Sequence, residues 1–397
     1  MATFSLKKYI SKVYAYELYN ELFKTHKVSA FFEISDSVPR KAALDIIQDT
    51  FKGIDIGKRI DIEKEVAYIF TFSTVHAATL YKKLIEKELG VPFEPEIECA
   101  SDADLVLYCY LRHRNLLEKV LFLHDFYMSK SYTTYEALKN ENEALADFEE
   151  KLKELTKDFE RFANKDDNAT ECKIVYEEVD KVLYLSVLFE GRYESVPKIN
   201  KESGELDRTH SIRKVERVFI CWVKEEERVL IRGTVGRSAL INFLDSFLRI
   251  ACESVYEGKT ESFDLDPFKN LSFDFTTFNK GTPLLRWKIK GIALSYANGK
   301  KKIRLALPSE QHAVGLAPLS ETLNDLGMIS KYDSFAIDTV TLVFTFADKA
   351  HEGKSISVST TLSPKRNGLC PLFTEHNHVR KLLTLSGIDR GFVSEEK

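Results

Sequence analysis

The apolar residues of this chain change their spacing once, near residue 170, and that change limits the fold more than any other feature. Before it, hydrophobic residues recur every three or four positions. After it, they alternate. Helices first and strands second argue against a regularly alternating β-α-β chain. They point to an α+β fold: a helical N-terminal domain, a long connecting helix, then a mainly antiparallel β-sheet region with packed helices.

Residues 1–130 read as a helical bundle domain. Val13, Leu18, Leu22 and Phe23 recur at helical spacing. A second helix opens near Pro39, carries Ala43, Ile47 and Phe51 on its apolar side, and closes at Gly53. Ranges 66–89 and 104–127 read as two more helices, with an acidic, proline-containing loop between them. The connecting helix, 131–165, is expected from Thr133, which with Glu136 fits a capping box. Along it Leu145, Phe148, Leu152, Leu155, Phe159 and Phe162 are spaced by threes and fours, a heptad seam. Such a seam packs on its own chain, or it meets a protein partner or a second copy. Residues 166–397 form the α+β domain, with a subdivision placed near 260–270.

Within that domain, 173–178 and 182–189 read as paired strands around Val179 and Asp180, and 215–223 with 228–232 as a second pair. The twenty-odd residues between the pairs have no apolar core, a length usually functional or disordered. A helix over 239–255 follows, then strands over 271–278, 335–346 and 355–362. Short helices are expected near 319–326 and 378–386.

The stretch 287–307 reads as a β-hairpin turning on Asn298 and Gly299, the strongest short hairpin signal. That register sets Leu294 opposite Ile303 and Ile292 opposite Leu305. The alternation slips at Gly291, which predicts a β-bulge there. Apolar residues then share one face, while Lys288, Lys290, Lys302 and Arg304 share the other. From Lys269 to Arg304 there are nine basic residues and one acid, Asp274, in a chain of net charge −4. The whole molecule is therefore no generic polyanion binder, but this ribbon is a candidate. Lys288, Lys290, Lys300, Lys302 and Arg304 are the expected phosphate contacts. Trp287 and Tyr296 would stack on bases only if exposed. The alternative is that the lysines guard an exposed strand edge.

A second candidate lies in 232–238. Arg232, Gly236, Arg237 and Ser238 leave a strand and open a helix, with Ser238 as the expected N-cap. Free amides beside two arginines suit an anion. The glycine spacing is not that of a P-loop. Cys370, His376 and His378 are too few for a local metal site, and no metal or other cofactor is expected. Asp61, Glu63 and Lys64 read as a charged helix lead-in. Arg112, His113 and Arg114 suggest RNA cleavage only if a matched histidine exists elsewhere. No catalytic residue is assigned. Six cysteines, none in a C-x-x-C pair, suggest free thiols in a reducing compartment. No stretch near the front has signal-peptide or membrane-spanning character, so a cytoplasmic protein without membrane contact is expected.

Together these features describe a non-catalytic nucleic-acid-associated protein whose N-terminal helices meet protein partners. One alternative is a scaffold subunit that binds no nucleic acid and assembles through the Leu145–Phe159 seam. The other is an enzyme whose site cannot be read from sequence order.

Overall fold

In the computed structural model of the protein, the residues described are 11–28, 34, 38–128, 132–137, 148–163, 172–195, 198–199, 206–207, 211–296, 302–307, 314–348, 355–366 and 369–394, with backbone alone over 191–214. The chain forms two compact units, Met1–Met128 and Ser129–Lys397. Its class is α+β, with every strand pair antiparallel.

The first unit is helical: α1 (Tyr16–Thr25), α2 (Arg40–Lys52), α3 (Ile56–Phe72), α4 (Val75–Leu89), α5 (Asp102–Arg112) and α6 (Leu117–Met128). Each of the two long helices expected over 66–89 and 104–127 is broken in two. Thr74 supplies the first break, because its hydroxyl accepts from the Ala77 amide at 3.2 Å and caps α4. The second follows α5, where His113 leaves helical geometry before a single tight turn at Arg114–Leu116. Ser101 and Asp104 form a capping box at the start of α5. The fully buried Asp104 carboxylate also accepts the Tyr14 amide at 2.6 Å and the Ala15 amide at 3.1 Å. A buried carboxylate with several N–H donors is satisfied, and it ties the entry of α1 to α5.

The second unit holds two main sheets. The larger has strands β1 (Thr133–Glu136), β2 (Cys172–Val179), β3 (Val182–Ser195), β6 (Ser211–Val223), β7 (Arg228–Gly233), β8 (Lys259–Phe263) and β13 (Asp389–Ser394), in the order β13-β8-β1-β7-β6-β3-β2. A short ribbon, β4 (Lys198–Ile199) with β5 (Leu206–Asp207), lies between β3 and β6 in the chain, where the sequence predicts a plain loop. The β2–β3 turn falls on Asp180 and Lys181, both with positive φ, one residue later than expected.

Helices α7 (Phe148–Ala163) and α8 (Arg237–Ile250) cover one face of this sheet. Leu155, Phe159, Phe243 and Phe247 are buried there against Leu185, Ile220 and Ile231. The heptad seam is thus filled by the chain's own strands. Leu152 packs partly, and Leu145 lies outside the described residues. The connecting helix expected from Thr133 is corrected at its front: Thr133–Glu136 is a strand between β7 and β8. Pairing on both edges, with Thr134 and Tyr135 buried and Tyr135 in the core beneath the helices, outweighs the capping-box pattern there.

The smaller sheet has the order β10-β9-β11-β12, from β9 (Leu284–Tyr296), β10 (Lys302–Ala306), β11 (Phe335–Ala347) and β12 (Ser355–Leu362). Its inner face packs Trp287, Ile289, Ile292, Leu294, Leu342 and Phe344 against α9 (Ala317–Asp325) and α10 (Thr374–Leu385). Helix α10 joins the two sheets. Val379, Leu382 and Leu383 enter this core, while Arg380 reaches Glu226 at 2.9 Å and Glu261 at 3.8 Å beside the larger sheet.

Residues 271–278, expected as a strand, form no strand. Asp274 accepts from the Thr276 amide at 2.9 Å and starts a tight turn, Phe275–Phe278. Its aromatic rings crowd around Trp287, with Phe275 4.9 Å away between centroids. The alternation of Phe273 and Phe275 mimics a strand but serves this cluster.

Candidate nucleic-acid interface

The β9–β10 ribbon has the register the Asn-Gly turn predicts. Leu294 is opposite Ile303, and Ile292 is opposite Leu305. The tip itself, with Lys300, lies outside the described residues. On the β11 side, Gly291 pairs with Thr341 but Ile289 pairs with Leu342, so Lys290 is an extra residue on β9. The bulge predicted at Gly291 sits one position earlier. It keeps the alternation in phase with the core on both sides.

Period-2 geometry then divides the sheet. Trp287, Ile289, Ile292 and Leu294 point inward and are buried. The other face presents Arg286 and Lys288 from β9, and Lys302 and Arg304 from β10. Level with Lys288 are Val343 and Ser359. Level with Arg286 are Thr345 and Ser357. Thr341 bonds Thr361 across the strands at 3.0 Å, and Thr345 bonds Ser357 at 3.2 Å. Arg286, Lys290, Lys302, Arg304, Ser357, Ser359 and Thr361 are exposed, and Lys288 is half-buried. This outer face is rich in cations and hydroxyls. Both kinds of group donate hydrogen bonds to phosphate oxygens.

One acid interrupts it. Asp338 is the extra residue of a second bulge, on β11. It accepts from Ser295 Oγ at 2.9 Å and pairs with Lys302 Nζ at 3.2 Å. Lys302 is therefore partly neutralised. Arg304 has no ion-pair partner among the described residues. Trp287 is fully buried, which removes it as a stacking platform. Tyr296 is exposed at the sheet end, its ring 4.8 Å from that of Phe335.

The second candidate does not assemble as expected. Gly236, not Ser238, is the N-cap of α8, and no side chain caps that helix. Ser238 is already inside the first turn. Strand β7 turns Ile231 to the face that α8 covers, so Arg232, next along, points to the opposite face. There it pairs across from Phe219, over whose ring Arg217 lies at 4.5 Å. Arg232 and the start of α8 thus belong to opposite sides of the sheet. Gly233 has a packing reason: a Cβ would meet Leu240 Cδ2 at 2.7 Å and the Arg217 carbonyl at 3.1 Å.

Among the described residues, no group of three His, Cys, Asp or Glu side chains is placed to hold a metal. His376 is buried and its Nδ1 donates to the Cys370 carbonyl at 2.6 Å. Asp61 and Lys64 form an exposed pair at 3.8 Å on the outside of α3. No helix among the described residues is long and apolar enough to cross a membrane.

Sequence reasoning missed one constellation. Glu65 on α3 meets Tyr110 on Oε1 and His26 on Oε2, with Arg114 3.6 Å from Oε1. These residues lie between positions 26 and 114, so no local motif carries them. Only the lone basic pair around His113 hinted at it. No known family model matches the chain, and no curated protein matches it in sequence.

Proposed function

We propose that the outer face of the β10-β9-β11-β12 sheet binds nucleic-acid phosphates. The observation that supports this reading best is the position of Arg286 and Lys288. Edge-guarding explains lysines on β10, which is an edge strand. It does not explain Arg286 and Lys288. On one side they pair with β11, and on the other the Trp287 carbonyl and Ile289 amide are bonded to Gly315, at 2.7 and 3.0 Å. That stretch of β9 needs no guard, yet it carries cations outward beside rows of Ser and Thr.

Arg286, Lys288, Lys290 and Arg304 contact phosphates in this reading, and the hydroxyls fix register along the backbone. Lys302 contributes less because Asp338 is beside it. The contacts are to backbone and not to base edges, so binding is sequence-tolerant and salt-dependent. The six cysteines are free thiols, in keeping with a proposed cytoplasmic location.

The test is binding to a single-stranded oligonucleotide over a range of salt concentrations, for the full chain and for the Arg286→Gln, Lys288→Gln, Arg304→Gln variant. Removing three phosphate contacts should flatten the log–log salt slope by about 2, at about 0.7 per contact for single strands. Binding that the triple variant leaves unchanged, or no binding by the intact chain, would overturn the reading.

A further inference from the structure

In the helical unit, three side chains from separate elements converge on one carboxylate. Glu65 comes from the middle of α3, His26 from the turn that ends α1, Tyr110 from α5, and Arg114 from the turn after it. His26 Nε2 bonds Glu65 Oε2 and Tyr110 Oη bonds Oε1, while Arg114 Nη2 lies 3.6 Å from Oε1. We propose that this cluster is an acid–base site that cleaves RNA by transesterification, with His26 as general base and Arg114 as the phosphate anchor.

Each member is in a state that suits its role. Tyr110 is buried, and burial followed by its bond to Glu65 pushes its hydroxyl well above the ordinary range. It therefore stays protonated and donates to Glu65. Glu65 then accepts on its other oxygen from His26 Nε2, and in a neutral imidazole that bond leaves the lone pair on Nδ1. Nδ1 has no partner among the described residues. A carboxylate holding an imidazole in one tautomer, with the second nitrogen left as base, is the orienting arrangement general-base catalysis uses. Glu65 is a positioning residue here.

Arg114 separates this cluster from a purely structural ion pair. Its side chain is 66% exposed, against 15% for Glu65 and 20% for His26. At 3.6 Å it is beyond hydrogen-bond reach of Oε1. It also lies over the Tyr110 ring, 5.1 Å from the centroid, which holds the guanidinium plane in place. Most of the side chain is open to solvent, so its donors are accessible to an oxyanion.

Substrate class follows from what the cluster lacks. The three residues on Glu65 include no side-chain nucleophile, because Tyr110 is buried and spent on the carboxylate. A substrate that carries its own nucleophile next to an anion completes the site. RNA does so at every 2′-hydroxyl, and DNA does not. His26 Nδ1 takes the 2′-hydroxyl proton as the O2′–P bond forms and the P–O5′ bond breaks. The leaving oxygen takes a proton from water, and His26 returns its own to solvent. The products are a 2′,3′-cyclic phosphate end and a 5′-hydroxyl end, with no atom gained or lost. The choice of RNA rests on reading the sheet face as a nucleic-acid surface; the cluster's geometry does not.

The experiment incubates the full chain with a labelled RNA oligonucleotide and with DNA of the same sequence, and measures binding in parallel. RNA should be cut to cyclic-phosphate ends and DNA left whole. His26→Ala should slow cutting by about 100-fold or more. Arg114→Ala, at an exposed position, should slow it by about 100-fold and serves as the test if His26→Ala does not fold. Glu65→Gln should lower kcat and leave KM for RNA unchanged. Absence of cutting, equal cutting of DNA, or cutting that both variants retain would overturn the proposal. Salt-dependent RNA binding without cutting rejects the site and keeps the sheet reading. Cutting with an affinity indifferent to Arg286, Lys288 and Arg304 rejects the sheet reading and keeps the site.

Discussion

The indole N–H of Trp287 donates to Asp274 Oδ1 at 2.7 Å. Asp274 is the only acid between Lys269 and Arg304, and this bond accounts for its presence. It serves the core beneath the sheet. Trp287 is fully buried, so losing its acceptor strands an N–H away from water. Asp274→Ala should cost about 1–3 kcal/mol, the penalty for a buried unsatisfied donor. Urea unfolding at neutral pH measures it.

The same carboxyl makes a pH prediction. Burial pushes Asp274 up, but the bonds from Thr276 and Trp287 outweigh it and hold it below its ordinary value. A carboxyl depressed in the folded state contributes stability above the unfolded pKa of about 3.9. That contribution is lost as pH falls through the folded value. Wild type should therefore lose more stability than Asp274→Asn between pH 5 and pH 3, and the two should converge at the acid end. Parallel curves would show that the charge contributes nothing.

Two glycines of the 232–238 segment should respond in opposite directions. Gly233→Ala forces a Cβ to within 2.7 Å of Leu240 and 3.1 Å of a backbone carbonyl. Overpacking of this kind costs about 1–3 kcal/mol. Gly236 has open space around its Cβ position and caps α8 without a side chain. Gly236→Ser supplies the missing acceptor and should stabilise by a few tenths of a kcal/mol. Thermal melts of the two variants decide this, and a loss of stability on Gly236→Ser would refute the cap assignment.

Arg380 and Glu261 should behave as a coupled pair. The Glu261 side chain is nearly inaccessible, 2.6 Å from Arg228 Nη1 and 3.8 Å from Arg380 Nη2. Burial raises its carboxyl above the ordinary value despite both arginines. Removing Arg380 leaves that charge to Arg228, and the loss approaches at most the cost of a broken buried pair, about 3 kcal/mol. Arg380→Ala should therefore be destabilising, and adding Glu261→Gln should restore part of the loss. A raised carboxyl stabilises most below its unfolded pKa and loses that contribution as pH rises through the folded value. The deficit of Arg380→Ala should accordingly shrink on acidification.

Much of this architecture was legible because period and pattern act locally. The register expected from the Asn298-Gly299 dipeptide is the one β9 and β10 adopt, and the phase slip at Gly291 located the bulge to within one residue. Elements that failed were those decided by distant partners. Thr133–Glu136, Lys259–Phe263 and Asp389–Ser394 are short strands that exist because they pair with one another and with β7. Nothing within four to six residues announces that. Phe273 and Phe275 alternate like a strand, yet Asp274 turns the chain around Trp287. The cap expected at Ser238 falls at Gly236 instead, two residues earlier. The Glu65 cluster was unreadable because its members come from the ends and middles of three helices.

Asp338 provides the sharpest test of the sheet face. It pairs with Lys302 at 3.2 Å, whereas Arg304, two residues along the same strand, has no such partner among the described residues. Lys302 is exposed and Asp338 half-buried, so the pair stays in contact with solvent on the lysine side. Asp338 offsets one cation and repels phosphate. Arg304→Gln should flatten the salt slope of single-strand binding by about 0.7. Lys302→Gln should flatten it less. Asp338→Asn keeps an oxygen for Ser295, removes the charge, and should strengthen binding while steepening the slope. Equal losses from Lys302→Gln and Arg304→Gln, with no gain from Asp338→Asn, would mean that phosphates do not lie along β10.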